Sequence, residues 1–221
     1  FIGMKTCASS HAAQLADGLS TAQVRAITAA QFAALTPAQF INLTTTQVAQ
    51  GFSTAQIVAL TTAQAASLST AQVAQGLTTA QIAVMETADI AALSLANISA
   101  LTPDQVQSGL STAQITALTV TQIAQAVTTV QISALATSQV VALTTAQVAQ
   151  LSGSQISAGF STAQVRAMET QDVAVISASA VGSLTTAQLN LGLSTSQIAV
   201  LSLAGVSSLT TAQIVDLGTV Q

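Results

Sequence analysis

The chain has 221 residues, a net charge of −4, 5% charged side chains and 50% apolar ones, so it has neither the polarity of a disordered segment nor the charge of an ordinary globular domain. Its three basic residues, Lys5, Arg25 and Arg166, offer no footprint for a phosphate backbone, which excludes nucleic acid as a partner. Cys7 is the single cysteine and forms no intramolecular disulfide; no apolar run reaches the roughly 18 residues of a membrane span, because Ser, Thr or Gln interrupts every one.

In chain order, residues 1–9 carry no repeat and read as an extended or docking N-terminal segment, and the start at Phe1 reads as a processed product or fragment. Residues 10–18 form a degenerate first unit with His11 at the cap position, Gln14 in register and Gly18 at its end. Cys7 to His11 is similar to a c-type haem attachment motif, but Ser10 replaces its second cysteine, so no cofactor is expected. From Leu19 onward, 24 full units of eight or nine residues follow, with a partial one at Leu217, which predicts a single solenoid over residues 10–221.

Numbering each unit from its leading apolar residue, position 2 is Ser or Thr in 21 of 24 units, and position 5 is Gln in 19. This is the spacing of a helix capping box, in which the hydroxyl accepts from the backbone N–H three residues on and the Gln side chain reaches back to the cap's own N–H. Position 1 is always apolar and position 6 is Ile or Val in 20 units, which sets up a hydrophobic staple across the cap. Pro37 and Pro103 both fall at position 3, the first helical residue, where the missing N–H costs nothing. A new cap every eight residues leaves about five or six residues per helix, too few to stand alone in water. The expectation is an all-α superhelix of very short capped helices, held by burying positions 1, 4 and 6. A β-solenoid is the rival fold, suggested by Thr, Val and Ile; alanine, glutamine and the proline positions oppose it.

Six units end in an extra glycine, namely Gly18, Gly51, Gly76, Gly109, Gly159 and Gly192, with Ala126 as a seventh extra residue. Glycine just after a helix predicts a left-handed C-terminal cap, and the recurrent 33-residue separation suggests one corner per superhelical turn, with three or four helices to a turn. An echo at 83 residues, Met85-Glu86-Thr87-Ala88-Asp89 against Met168-Glu169-Thr170-Gln171-Asp172, indicates duplication of multi-unit blocks.

Chemistry-bearing residues are few. Glu86 with Asp89, and Glu169 with Asp172, are the candidate cation ligands, since each pair puts carboxylates at the cap and third helical positions; calcium wants six to eight oxygens, and the pairs equally suit an inverted capping arrangement. One histidine at the extreme end of the array supports no nucleophilic triad, so no catalytic residue is assigned and the protein reads as a non-enzyme. Arg25 and Arg166 read as solvated charges, and Phe32, Phe40, Phe52 and Phe160 as core.

Leu-Thr-Thr-Ala-Gln-Val-Ala-Gln, at positions 143 to 150, and its siblings resemble the Thr-Ala-Gln-rich short tandem repeats of long bacterial secreted and cell-surface, adhesin-like proteins. That resemblance implies an extracellular structural or adhesive role and supplies no site residues. Leu101-Thr102-Pro103-Asp104-Gln105-Val106 also looks like the opening of a TAL-effector repeat, but the rest of that repeat and its basic residues are missing. The leading expectation is an extracellular rod or filament subunit that stacks head to tail through uncapped ends; the alternative is an adhesin whose Ser/Thr/Gln surface binds glycan or, less readily, ice, or else a spacer fragment of a longer surface protein.

Overall fold

The computed structural model describes residues 18–220, with side chains to residue 217. The described residues are a succession of helices of mostly four to six residues with no strand among them, as the all-α reading expects. They fall into two compact units, the first reaching Leu101 and the second starting at Thr102.

Each helix starts as the capping box dictates. In Thr54–Val58, Ser53 is extended (φ −80°, ψ 158°); its hydroxyl accepts from the Gln56 N–H, while Gln56 Oε1 accepts from the Ser53 N–H at 2.7 Å. Pro37 opens Pro37–Phe40, and Pro103 is likewise the first helical residue of its unit. The next cap then turns the chain, because an extended φ/ψ ends the helical path.

Within each unit, the principal contacts between helices join elements three places apart in the chain. In the first unit Thr21–Ala26 packs on Gln47–Gly51 and Thr62–Ser67 on Thr87–Ala92; in the second, Thr129–Ala134 packs on Gln155–Gly159 and Ala178–Gly182 on Leu203–Ser207. Three helices therefore make one turn of the solenoid. The 33-residue glycine recurrence steps over four helices, one more than a turn, and does not mark its period.

The core is a ladder of position 1 and position 6 residues, such as Leu60 with Ile57 and Leu135 with Ile132, all nearly inaccessible. Phe32, Phe40 and Phe52 meet in the first unit, with edge-on contacts at 5.4 and 4.8 Å from Phe32, and Phe160 is buried in the second. Position 4 departs from expectation: Ala55, Ala80, Ala113 and Ala163 are exposed, and the buried partner of position 6 is the glutamine at position 5. Positions 5 and 6 are the third and fourth helical residues, so they share the inward face, while position 4 points out one residue earlier.

The extra glycines correct a second expectation. None of Gly18, Gly51, Gly76, Gly159 and Gly192 has a positive φ, so they are not left-handed caps. Five glycine-ending units instead close in a widened π-helical turn, Gln47–Gly51, Gln72–Gly76, Gln105–Gly109, Gln155–Gly159 and Gln188–Gly192. The ninth residue is absorbed by a longer hydrogen bond, as from the Leu77 N–H to the Gln72 carbonyl (2.8 Å), and Ala126 is handled the same way by Val127 N–H to Gln122 (3.0 Å). Glycine is required by close approach: a Cβ on Gly51 would lie 2.9 Å from Val24 Cγ1, and one on Gly159 2.9 Å from Ile132 Cγ2, whereas one on Gly18 would meet open space.

Candidate functional site

The feature that ties one turn to the next is the glutamine at position 5, whose capping role is half of what it does. Gln64 Oε1 takes the Thr61 N–H at 3.0 Å, and its Nε2 donates backward to the Phe32 and Leu35 carbonyls at 2.9 and 2.8 Å. Gln147 repeats this with Thr144 (2.7 Å), Ile115 (2.9 Å) and Leu118 (2.6 Å), and Gln164 with Ser161, Ile132 and Leu135. The carbonyls reached belong to positions 6 and 1, the end of one helix and the corner after it, in the turn below. The position 6 carbonyl also accepts the N–H of the position 1 residue that follows it, as Phe32 does from Leu35, whereas the position 1 carbonyl at the corner, as at Leu35, has no backbone partner among the described residues and depends on the amide. One carboxamide thus joins the start of a helix above to the end of a helix below, in a site closed to water, since Gln64 and Gln147 are each 1% exposed.

The second role had a signal in the composition. A capping box accepts Glu as readily as Gln, yet no unit carries Glu at position 5. Glutamate caps the N–H equally well but has no hydrogen to give the carbonyls below. Asn97, at the same position, keeps the backward bond with its shorter side chain, Nδ2 to Leu68 carbonyl at 2.8 Å. Ala180 and Gly205 give it up, and there only the cap hydroxyls of Ser177 and Ser202 serve the helix start.

The acidic pairs occupy the same frame. Glu86 and Glu169 stand exposed at the caps of Thr87–Ala92 and Thr170–Val173, neither making a side-chain cap hydrogen bond, so they do not replace the Ser or Thr hydroxyl. Glu169 instead accepts from Gln171 Nε2 at 2.5 Å. Asp89 and Asp172 take the glutamine position and are 1% and 2% exposed. One oxygen of each, Asp89 Oδ2 and Asp172 Oδ1, is buried without a hydrogen-bond partner. Loss of hydration, then the neighbouring Glu86 charge, pushes the Asp89 carboxyl up to about 6. Burial also raises Asp172, opposed by a hydrogen bond with Thr145 and reinforced by Glu169. The structure separates the members of each pair, one at the surface and one in the core, and among the described residues no three His, Cys, Asp or Glu side chains come together.

The remaining sequence candidates fall in the scaffold. Arg25 and Arg166 are exposed in the last turns of their helices, where a cation suits the helix dipole. Gly109 is buried at the end of its π-turn. Met4, Cys7 and His11, with the first unit at 10–18 up to its last residue, lie outside the described residues. Among the described residues no helix is long and apolar enough to cross a membrane.

A family model described as the ALTTAQ repeat matches residues 13–49 and again residues 165–202, so the chain is similar to that family over less than half its length, in both units. The match supports a tandem-repeat protein. No curated protein matches the chain.

Proposed function

We propose that this protein is a non-enzymatic structural element, an extracellular or cell-surface rod that lengthens by stacking copies end to end. The observation that carries this reading is the glutamine ladder: each interior turn is fastened to the one before it by the same buried amide bonds, as from Gln64 to Phe32 and Leu35 and from Gln164 to Ile132 and Leu135. Val206 and Ile214, position 6 residues that are 42% and 52% exposed, offer apolar surface for a contact with another copy.

Gln23 and Gln31 are exposed, each with its Oε1 used in its own cap. A second copy stacked end to end on this one would continue the interior pattern, amide donors meeting carbonyls, in a head-to-tail contact, which does not close and so yields a fibre. Electron microscopy and light scattering across a dilution series test the reading, with Val206→Asp and Ile214→Asp as a paired variant. Rods of uniform width that lengthen with concentration, and remain single in the variant, are the expected result. Monomers at all concentrations, or concentration-independent glycan binding by the Ser/Thr/Gln surface, would overturn it in favour of a spacer or an adhesin.

A further inference from the structure

We propose that Asp89 and Asp172 work as neutral carboxylic acids, each giving its proton to the carbonyl one turn below, Leu60 for Asp89 and Leu143 for Asp172, so that these two corners tighten in acid and loosen as the pH rises. The inference rests on the register of the glutamine ladder. Interior amides reach the position 1 carbonyl of the turn below, 28 or 29 residues back, as Gln64 does at Leu35, Gln155 at Val127 and Gln164 at Leu135. Asn97, of the same size and shape as an aspartic acid, makes that bond to Leu68 at 2.8 Å. Asp89 and Asp172 sit at equivalent positions, on helices that pack against the corner below: Thr87–Ala92 on Thr62–Ser67, and Thr170–Val173 on Thr145–Val148.

At both corners the donor is missing. Among the described residues, the Leu60 and Leu143 carbonyls accept no hydrogen bond, and the unpartnered Asp89 Oδ2 and Asp172 Oδ1 are buried. A carboxylate there would set oxygen against oxygen out of water, and a proton on that atom converts the clash into the bond that Asn97 makes. The surroundings favour the neutral form. Glu86 and Glu169 are the ionisable neighbours and both repel a charge, whereas Thr62–Ser67, Thr145–Val148 and Thr195–Ala199, packed against the two helices, carry no ionisable side chain. A side-chain hydrogen bond with Thr145 opposes the neutral form at Asp172, and Oδ1 is the oxygen left without a partner for the proton to serve. A cation is a poorer occupant, because a buried carboxylate and one or two carbonyls fall short of the six to eight oxygens calcium takes.

The raised carboxyl fixes the sign: the folded chain holds the proton more tightly than the unfolded chain, so stability is full below the ordinary aspartate range and falls as the pH climbs toward about 6. The test is denaturant unfolding of the full chain and its D89N, D172N and double variants from about pH 4 to about pH 7, with and without added calcium, alongside infrared absorption of protonated carboxyls. The unfolding constant of the unaltered chain should rise with pH, by up to about a hundredfold for Asp89 and in the same direction for Asp172. The double variant should be flat through that window, and the carboxyl band that persists near pH 5 in the unaltered chain should be absent from it. A flat profile in the unaltered chain, an equal slope in the double variant, or a calcium-dependent gain that the variants lose would overturn the proposal.

Discussion

The corners at Gln147 and Asp172 follow the same plan, lie in the same unit and belong to helices packed on each other. At the first, a carboxamide accepts the Thr144 N–H and donates to Ile115 and Leu118; at the second, an acid of similar placement leaves one buried oxygen without a partner. The difference teaches that a polar rung of this solenoid must both accept and donate. Burial without donation is what the interior does not tolerate, since an unsatisfied buried polar group costs about 1–3 kcal/mol and a charged one more.

The sharpest way to break the comparison is to turn the first corner into a version of the second. Gln147→Glu keeps the size and the cap acceptor but removes the hydrogens given to Ile115 and Leu118. We expect a loss of about 3–5 kcal/mol at neutral pH, shrinking in acid as the new carboxyl protonates, measured by denaturant unfolding. Gln147→Leu should cost less, since it leaves the Leu118 carbonyl unpaired but buries no charge.

A smaller loss, about 1–3 kcal/mol, is expected for Gly159→Ala, because the added Cβ would stand 2.9 Å from Ile132 in a turn that packs directly on it. Gly18→Ala, with open space around its Cβ, is the matched control and should be near neutral by the same measurement.

The opposite change sharpens the contrast. Asp172→Asn restores a donor to the second corner and should gain about 1–2 kcal/mol at neutral pH and nothing in acid, read from paired thermal melts. The smallest effect is expected at Ala136, which holds a cap position without a hydroxyl although Gln139 Oε1 still takes its N–H at 2.8 Å. Ala136→Thr should gain about 0.5–1 kcal/mol by adding a hydroxyl acceptor for the Gln139 N–H, which here donates to the Ala136 carbonyl at 2.9 Å, seen as a rise in Tm.

How far the fold was legible follows from the range of each interaction. Ser53 with Gln56, Pro37 at its helix start, and the position 1 and 6 stripe are contacts within one unit, and eight residues of sequence contain all that decides them. The backward bond of Gln56 to Val24 and Ile27 crosses 32 and 29 residues, which no rule about neighbouring residues reveals. Only the avoidance of Glu at position 5 hinted at it. Alanine at position 4 was misread as core because its smallness suits a packed site and an exposed helix face alike. Gly51 and its counterparts read as caps because they follow helices, but their reason lies at Val24 and Ile132, a full turn away. For the acidic pairs the residues were legible and their environment was not: the exposed and buried members differ by which face of the helix the turn below covers.

The central claim is that interior glutamines, and not backbone pairing, fasten each turn to the last. Its most direct test is hydrogen exchange of the side-chain amides, resolved by NMR in dilute, unassociated protein. Gln56, Gln64, Gln147 and Gln164, bonded to carbonyls in the turn below, should exchange orders of magnitude more slowly than Gln23 and Gln31, whose amides face solvent. Equal and fast exchange in both groups would contradict the account, because the ladder would then carry no protected bond.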